Sequence, residues 1–386
     1  MTARPLLLAL ATLAACGRSA SSVASRDSAE LTSCRECHEQ IVANYVQTAH
    51  FNTSSEASAA TIKGPFVEGR NVLQTRSEGV SFTMEHRKDG FYQTASDTKQ
   101  NLSRSERFGV VIGSGRKGQS YLYWSHGVLL QLPVSWLSGV DQWINSPGYP
   151  DGMVDFERVV PPRCLECHST AFRIETVDSG ARYAQDYQLG ISCRKCHGDA
   201  RQHIEYHKAH PGETAGQSIF NPAHATRDQQ LDNCAICHGG ALRLKQPPFA
   251  YQPGGNFTDY FERPPLLDSL LPDVHGNQIA LLQASKCFAA SPAMSCSTCH
   301  DVHRPERDLV AMANKCLTCH DAAAHPDARR IGNRLISRCI DCHMPNRPSS
   351  ALKLTTPTAQ AAISYRNHTI GVYPQAFADV LGDGSR

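Results

Sequence analysis

Cys296-Ser-Thr-Cys-His-Asp-Val-His303 joins two thiols, an adjacent imidazole and a second imidazole three residues further on. Its first five residues form the pattern Cys-x-x-Cys-His, the attachment site of a c-type haem. Two thiols three residues apart lie on one side of a helical turn, so both add to the vinyl groups of one porphyrin. The His that follows faces the iron as its proximal ligand. Read outward from this segment, the pattern recurs at Cys34/Cys37/His38, Cys164/Cys167/His168, Cys193/Cys196/His197, Cys234/Cys237/His238, Cys316/Cys319/His320 and Cys339/Cys342/His343. One copy would also fit chance or a zinc ribbon. Seven copies, each completed by His, predict seven covalently bound haem c groups with those seven His on the irons.

Haem also accounts for the composition. Only 41% of the 386 residues are hydrophobic, and 22 Pro and 27 Gly break the chain into short segments. Macrocycles rather than a conventional aliphatic core are therefore expected to supply the apolar centre. The predicted fold class is a mainly α and irregular multihaem cytochrome c fold organised around seven haems, with a small β-rich insertion. A formal net charge of +2 argues against nucleic acid or an anionic membrane surface as a partner.

The N-terminus carries Arg4, an apolar run from Leu6 to Leu13, and then Ala14-Ala15-Cys16-Gly17. The run is too short to span a bilayer and reads as a signal peptide. Leu13-Ala-Ala-Cys16 matches a bacterial lipobox, which makes Cys16 the predicted site of lipidation and the only membrane attachment. Covalent haem attachment of this type takes place outside the cytoplasm, so export is expected independently, to a periplasm-facing or outer-membrane surface. Of the 16 Cys, 14 belong to haem motifs and Cys16 to the anchor, which leaves Cys287 as a lone thiol packed near a haem.

The chain divides into a signal peptide (1–15), a Ser/Ala-rich tether (16–30) and an N-terminal haem segment (31–63). A β-rich insertion (64–150), a multihaem core (151–348) and a tail that supplies a distal ligand (349–386) follow. In the insertion, Val80–Met84 and Phe91–Thr94 flank Lys88-Asp89-Gly90 as one β-hairpin. Tyr121–Trp124 and Val128–Leu132 flank His126-Gly127 as a second. From Cys164 onward the first cysteines of successive motifs are 29, 41, 62, 20 and 23 residues apart, leaving one helix or loop per haem and bringing neighbouring porphyrins close.

The sixth iron position decides the chemistry: closed by a second His, the iron passes electrons; left open, it binds substrate. Eleven His lie outside the motifs, enough to close every haem. His50, His203, His275, His303, His325 and His368 are the expected distal ligands. His303 lies on the same helical side as His300, aimed at an adjacent haem, and His325 lies near a helix end before Pro326. His207, His210 and His224 remain alternatives for a seventh, while His86 and His126 suit surface or turn roles. The first motif, roofed by the insertion, is the best candidate for an open position.

Several stretches resemble a known group: Ile112–Tyr121, Leu132-Pro-Val-Ser-Trp136, Ser146-Pro-Gly-Tyr149, Asp155-Phe-Glu-Arg158, His275-Gly-Asn-Gln278, Ser285-Lys-Cys-Phe288 and Met294–His303. The chain is similar to bacterial multihaem c-type cytochromes related to the tetrahaem cytochrome that accepts electrons from hydroxylamine oxidoreductase, and to longer relatives fused to tetratricopeptide repeats. The resemblance implies that His50, His203, His275, His303 and a His like His368 are distal ligands. It also implies that Gly113, Gly115 and Tyr121 are structural residues of the insertion. Gly113-Ser-Gly115 matches no P-loop and opens no βαβ unit, which rejects a nucleotide site.

The leading functional expectation is an exported, lipid-anchored electron-transfer cytochrome that exchanges electrons with redox protein partners. The alternative is a reductase or oxidase of a small nitrogen or sulfur compound with one open haem; no motif carries the Lys-for-His replacement typical of nitrite reductases. A third is a subunit of a haem-lined extracellular filament. The oligomeric state is not legible.

Overall fold

The computed structural model describes residues 29–176, 181–263, 276–306, 308–332, 334–355 and 360–382. After a helix over Ala29–Tyr45 come strands β1 (Ser54–Glu56), β2 (Val72–Gln74), β3 (Val80–Arg87), β4 (Gly90–Asp97) and β5 (Leu102–Arg107). These are followed by β6 (Val110–Ile112), β7 (Gly118–Ser125), β8 (Val128–Gln131), β9 (Val134–Leu137) and β10 (Gln142–Asn145). Beyond the second motif lie β11 (Ser169–Ala171), β12 (Ile174–Thr176), β13 (Arg182–Tyr183) and β14 (Gln188–Leu189).

Both expected hairpins form, for the reasons their sequences give. In β3 the side chains of Phe82 and Met84 alternate inward and are fully buried, and Arg87 pairs with Gly90 at the turn. Between β7 and β8, His126 and Gly127 both adopt positive φ (50° and 82°), the primed turn whose twist matches the flanking strands. Gly113 has a positive φ of 105°, and a Cβ there would sit 2.6 Å from the Gly118 carbonyl oxygen. Only glycine allows β6 and β7 to close this tightly.

The mainly α expectation is overturned. Helix amounts to 32% and strand to 23%, and strands reach well beyond the stretch that reads as an insertion. One four-stranded sheet runs β2-β3-β4-β5. An eight-stranded sheet runs β1-β6-β7-β8-β13-β12, with β9 on β7 and β10 on β9. The cause is recruitment from both flanks: β1, just after the first haem segment, pairs with β6, and β13, after the second motif, pairs with β8. These strands are two or three residues long, too short for alternation to register in the sequence. The β body also has a conventional core. Tyr121 is fully buried and stacks on Phe108 with ring centroids 4.5 Å apart, beside Phe82, Trp136, Trp143 and Phe156.

The β body positions the haem segments through its β1 edge. Tyr45, at the end of the first helix, donates its hydroxyl to the Ile191 carbonyl at 2.8 Å. Ser54, fully buried, donates to the His168 carbonyl at 2.6 Å and accepts the Gly190 amide at 2.9 Å. Motifs 1, 2 and 3, distant in sequence, are thereby fixed against one strand. A second core of Leu231, Ile236, Phe257, Phe261 and Ile279 packs around motif 4. Among the described residues no helix is long and apolar enough to cross a membrane.

Candidate haem centres

Four motifs end a helix on their own His: Pro162–His168, Cys193–His197, Arg227–His238 and Arg334–His343. Motif 6 ends the helix Leu309–Cys316, and motif 5 forms the 3-10 turn Cys296–Thr298. In motif 1 the helix is interrupted at His38 itself (φ −115°, ψ 40°). The chain thus turns away at the imidazole, which frees the ring to project past the helix end. Local sequence supports these stops and starts. Gly198 caps motif 3 with φ 80° and its amide on Arg194, while Thr226 and Gln229 form a capping box that starts the motif 4 helix.

Five motif His each stand opposite one non-motif His at nearly one separation. His38 and His203 have ring centroids 6.3 Å apart, His197 and His303 6.0 Å, and His300 and His368 6.3 Å. His238 and His50 are 6.1 Å apart, and His343 and His325 6.2 Å. The closely stacked rings His86–Phe91 and His210–Tyr206 lie nearer, at 4.5 and 4.3 Å. The centre of a five-membered ring lies about 1.1 Å behind each ring atom, and imidazole binds first-row metals at about 2.0–2.1 Å. Two imidazoles across one iron therefore have centres about 6.2 Å apart. The residues present fit the group.

Tautomers and burial point the same way. The Nδ1 of His197 lies 3.0 Å from the Phe220 carbonyl, that of His203 2.9 Å from Gln217, that of His343 2.8 Å from Gly371, and that of His368 3.0 Å from Arg366. A carbonyl only accepts, so Nδ1 carries the proton and Nε2 keeps its lone pair for a metal. His300 Nδ1 is held by Glu306 at 2.9 Å, and His168 Nδ1 by the Thr53 hydroxyl at 3.0 Å. Burial pushes the pKa of His50, His197 and His368 down, and that of His238 to about 4, keeping these rings in the neutral, ligating form. His325 is the exception: its Nδ1 accepts the Asp327 amide at 3.1 Å, a bond that has to be given up for Nδ1 to carry the proton and Nε2 to ligate.

The motifs touch one another in an order that differs from the sequence. Cys34 and Cys193 are in side-chain hydrogen-bond contact, as are Cys167 with Cys237 and Cys234 with Cys296. Cys196 lies within electrostatic range of Cys234, and Cys299 and Cys339 within range of Cys316. The imidazoles repeat this pattern: His197 feels His38 and His203, while His238 feels His300 and His368. The contacts connect motifs 1-3-4-5-6-7 in one line, with motif 2 joined at motif 4. Lys195, inside the motif 3 loop, sits at that junction within range of Cys167, Cys196 and Cys237, its pKa lowered by burial and its ammonium 4.8 Å from the Phe249 ring centroid.

The attachment thiols differ in exposure. Cys37 is exposed, and so are Cys164 and Cys319, whereas the other eleven motif thiols, Cys342 among them, are partly buried. Cys34 takes the contact with the neighbouring motif, on Cys193, and the helix turns away at His38, one residue beyond Cys37.

Other expected residues fall as follows. The first motif is no more open at its iron position than the rest, because His203 stands opposite His38. His86 stacks on Phe91 (4.5 Å, 9°), and His126 sits in its turn beside Ser125. His210 stacks on Tyr206, and His207 packs edge-on against His203 at 4.6 Å with its Nε2 buried and without a hydrogen-bond partner among the described residues. His224 is exposed on the short turn Pro222–His224. Cys287 is partly buried within range of Cys299 and Cys316. His275 and Cys16 lie outside the described residues. Sequence reasoning missed the Thr53 hydroxyl, which holds the ring of His168, and the Gln217 backbone carbonyl, which holds that of His203; neither a single loop hydroxyl nor a main-chain carbonyl carries a sequence signal for that role. No group of three or more His, Cys, Asp or Glu is gathered for a bare metal ion among the described residues.

Comparison with known proteins agrees with this geometry. Residues 151–198, spanning motifs 2 and 3, match the family model of cytochrome c554 and c-prime. No curated protein sequence matches the chain. Among solved structures, the outer cell wall cytochrome OcwA is 16% identical, with 91% of this chain and 81% of that one covered and a TM-score of 0.55. An undecahaem cytochrome from the S-layer of Carboxydothermus ferrireducens is 13% identical over 90% of this chain and 59% of its own, with a TM-score of 0.41. The chain has the fold of a multihaem c-type cytochrome, and haem c is its cofactor.

Proposed function

We propose that this chain is an electron-transfer protein carrying seven haems c, most of them closed by two His. Each haem supplies a one-electron centre when bound; the chain supplies attachment, ligands and spacing. The observation that carries this reading is the set of five imidazole pairs at iron-bridging separation. On this reading His203, His303, His50, His368 and His325 are the distal ligands of motifs 1, 3, 4, 5 and 7. The contact order then gives a path from motif 1 through motifs 3, 4, 5 and 6 to motif 7, along which electrons hop between neighbouring irons. A buried cation on that path, Lys195, favours the reduced state of the haems beside it.

The same reading makes the protein an exported lipoprotein, cleaved before Cys16 and held to a membrane by acylation. The fold shared with an outer cell wall cytochrome supports a location beyond the cytoplasm, where donor and acceptor are redox proteins. Intact-mass analysis and a reductive titration of the haem-loaded protein test the proposal. Seven haem additions and uptake of seven electrons are expected. Fewer haems, or haems that stay oxidised under excess reductant, would overturn it.

A further inference from the structure

A cavity of about 340 Å³ opens beside the segment that carries His368, and no Cys or His of an attachment motif lines it. The antiparallel strands Asn346–Thr355 and Gln360–Arg366 build one wall. In their register Arg347 stands opposite Tyr365, and Asn346 opposite Arg366. Arg347 and Tyr365 therefore share one face, which Asn367 and Thr369 continue along the cavity. Arg366 and His368 leave the chain on the other side. Arg366 pairs with Asp341 at 2.9 Å, and the ring of His368 faces His300. A haem held between His300 and His368 thus lies across the chain from the cavity. His343 turns its Nδ1 edge to the Gly371 carbonyl at 2.8 Å, so an iron on its Nε2 lies on the far side of that ring.

The lining selects one chemistry. Arg347 is its charged residue, and among the described residues no carboxylate pairs with it, because Asp341 is taken by Arg338 and Arg366. The guanidinium lies 5.3 Å from the ring centroid of Tyr373. The Asn367 amide donates to the Tyr373 hydroxyl at 2.9 Å, and that hydroxyl donates to the Thr369 carbonyl at 2.5 Å. Tyr365 makes neither a hydrogen bond nor a ring contact among the described residues, which leaves its ring and hydroxyl to a ligand. Leu281 and Ala284 add an apolar floor. An unpaired cation beside an unclaimed aromatic ring matches a flat molecule with one negative end. We propose that this cavity binds a small planar aromatic anion, a carboxylate or sulfonate, with its acid group on Arg347 and its ring against Tyr365. Building on the His300–His368 pair and the electron-transfer reading, the bound charge sits one chain thickness from the motif 5 haem. It favours the oxidised iron there and lowers that haem's potential.

The test uses the haem-loaded protein and naphthalenesulfonate as the probe. Isothermal calorimetry should show saturable binding at one site, which inorganic sulfate does not reproduce. Arg347→Gln should weaken binding about tenfold by removing the charged partner. Ala284→Phe, which fills the floor, should abolish it. Both positions are exposed, so the variants keep their fold and their haem mass. In a spectroelectrochemical titration the probe should lower the potential of one haem in the wild type and of none in Arg347→Gln. No saturable binding, equal affinity in Arg347→Gln, or equal binding of sulfate would overturn the proposal. Binding that leaves every potential unchanged would overturn the placement beside the motif 5 haem. Failure of the electron-transfer reading shows separately, as haems that take up no electron in the reductive titration while the calorimetric binding persists.

Discussion

Replacing His303 with Ala removes one imidazole of the His197 pair, and the ring angles of the five pairs determine what should follow. Parallel imidazole planes donate into the same iron d orbital and split it from its partner, which gives rhombic low-spin spectra. Perpendicular planes leave the two orbitals nearly degenerate and give one highly anisotropic signal at large g. The pairs of motifs 1, 3 and 5 are near-parallel at 12°, 20° and 30°, whereas those of motifs 4 and 7 are near-perpendicular at 78° and 73°. His303→Ala therefore removes one of three near-parallel pairs. The rhombic intensity should fall by a third, or by less if the motif 2 and motif 6 haems belong to the same class. A high-spin signal from one haem should appear, and the large-g signal should keep its intensity. Folding is little affected, because the His303 amide bond to Asp301 at 3.0 Å belongs to the backbone and survives, so a loss of about 1 kcal/mol is expected. Spin quantitation by electron paramagnetic resonance at low temperature provides the assay. An unchanged rhombic signal, or a loss at large g instead, would refute the pairing.

Further predictions concern the scaffold, the junction and the anchor. Gly113→Ala, strained by its positive φ and by the Gly118 carbonyl 2.6 Å from the new Cβ, should lose about 2 kcal/mol by calorimetry, whereas Gly139→Ala, which meets nothing within 4 Å, should be neutral; equal melting temperatures would contradict the argument. Lys195→Gln removes a cation that favours the reduced state near Cys167, Cys196 and Cys237, so the neighbouring haems should fall in potential by about 1 kcal/mol, roughly 40 mV for one electron. A rise in spectroelectrochemical titration would contradict that sign. Cys16→Ala should release the mature protein from membranes on fractionation; continued membrane association would remove Cys16 as the anchor.

The attachment chemistry was legible in the sequence because its residues are contiguous and their spacing follows from one porphyrin. The identity of most facing imidazoles was legible too: His50, His203, His303, His325 and His368 each stand opposite a motif His. Which motif each one faces was not, because the pairs join distant segments. His50 reaches His238 only after the β1 edge has gathered the first three motifs, and His303, three residues after His300, turns to His197 instead. The β content was underestimated for a related reason. β1 and β13 are short and gain their order from long-range pairing with β6 and β8, and local alternation cannot report a partner about 50 residues away.

The most direct test of the account is a structure of the haem-loaded protein at a resolution that places the irons and their ligands. It should show the Nε2 atoms of His38 and His203, His197 and His303, His238 and His50, His300 and His368, and His343 and His325 on opposite sides of five single irons. The account is contradicted if the members of any of these pairs ligate two different irons, or if one of the ten rings ligates none.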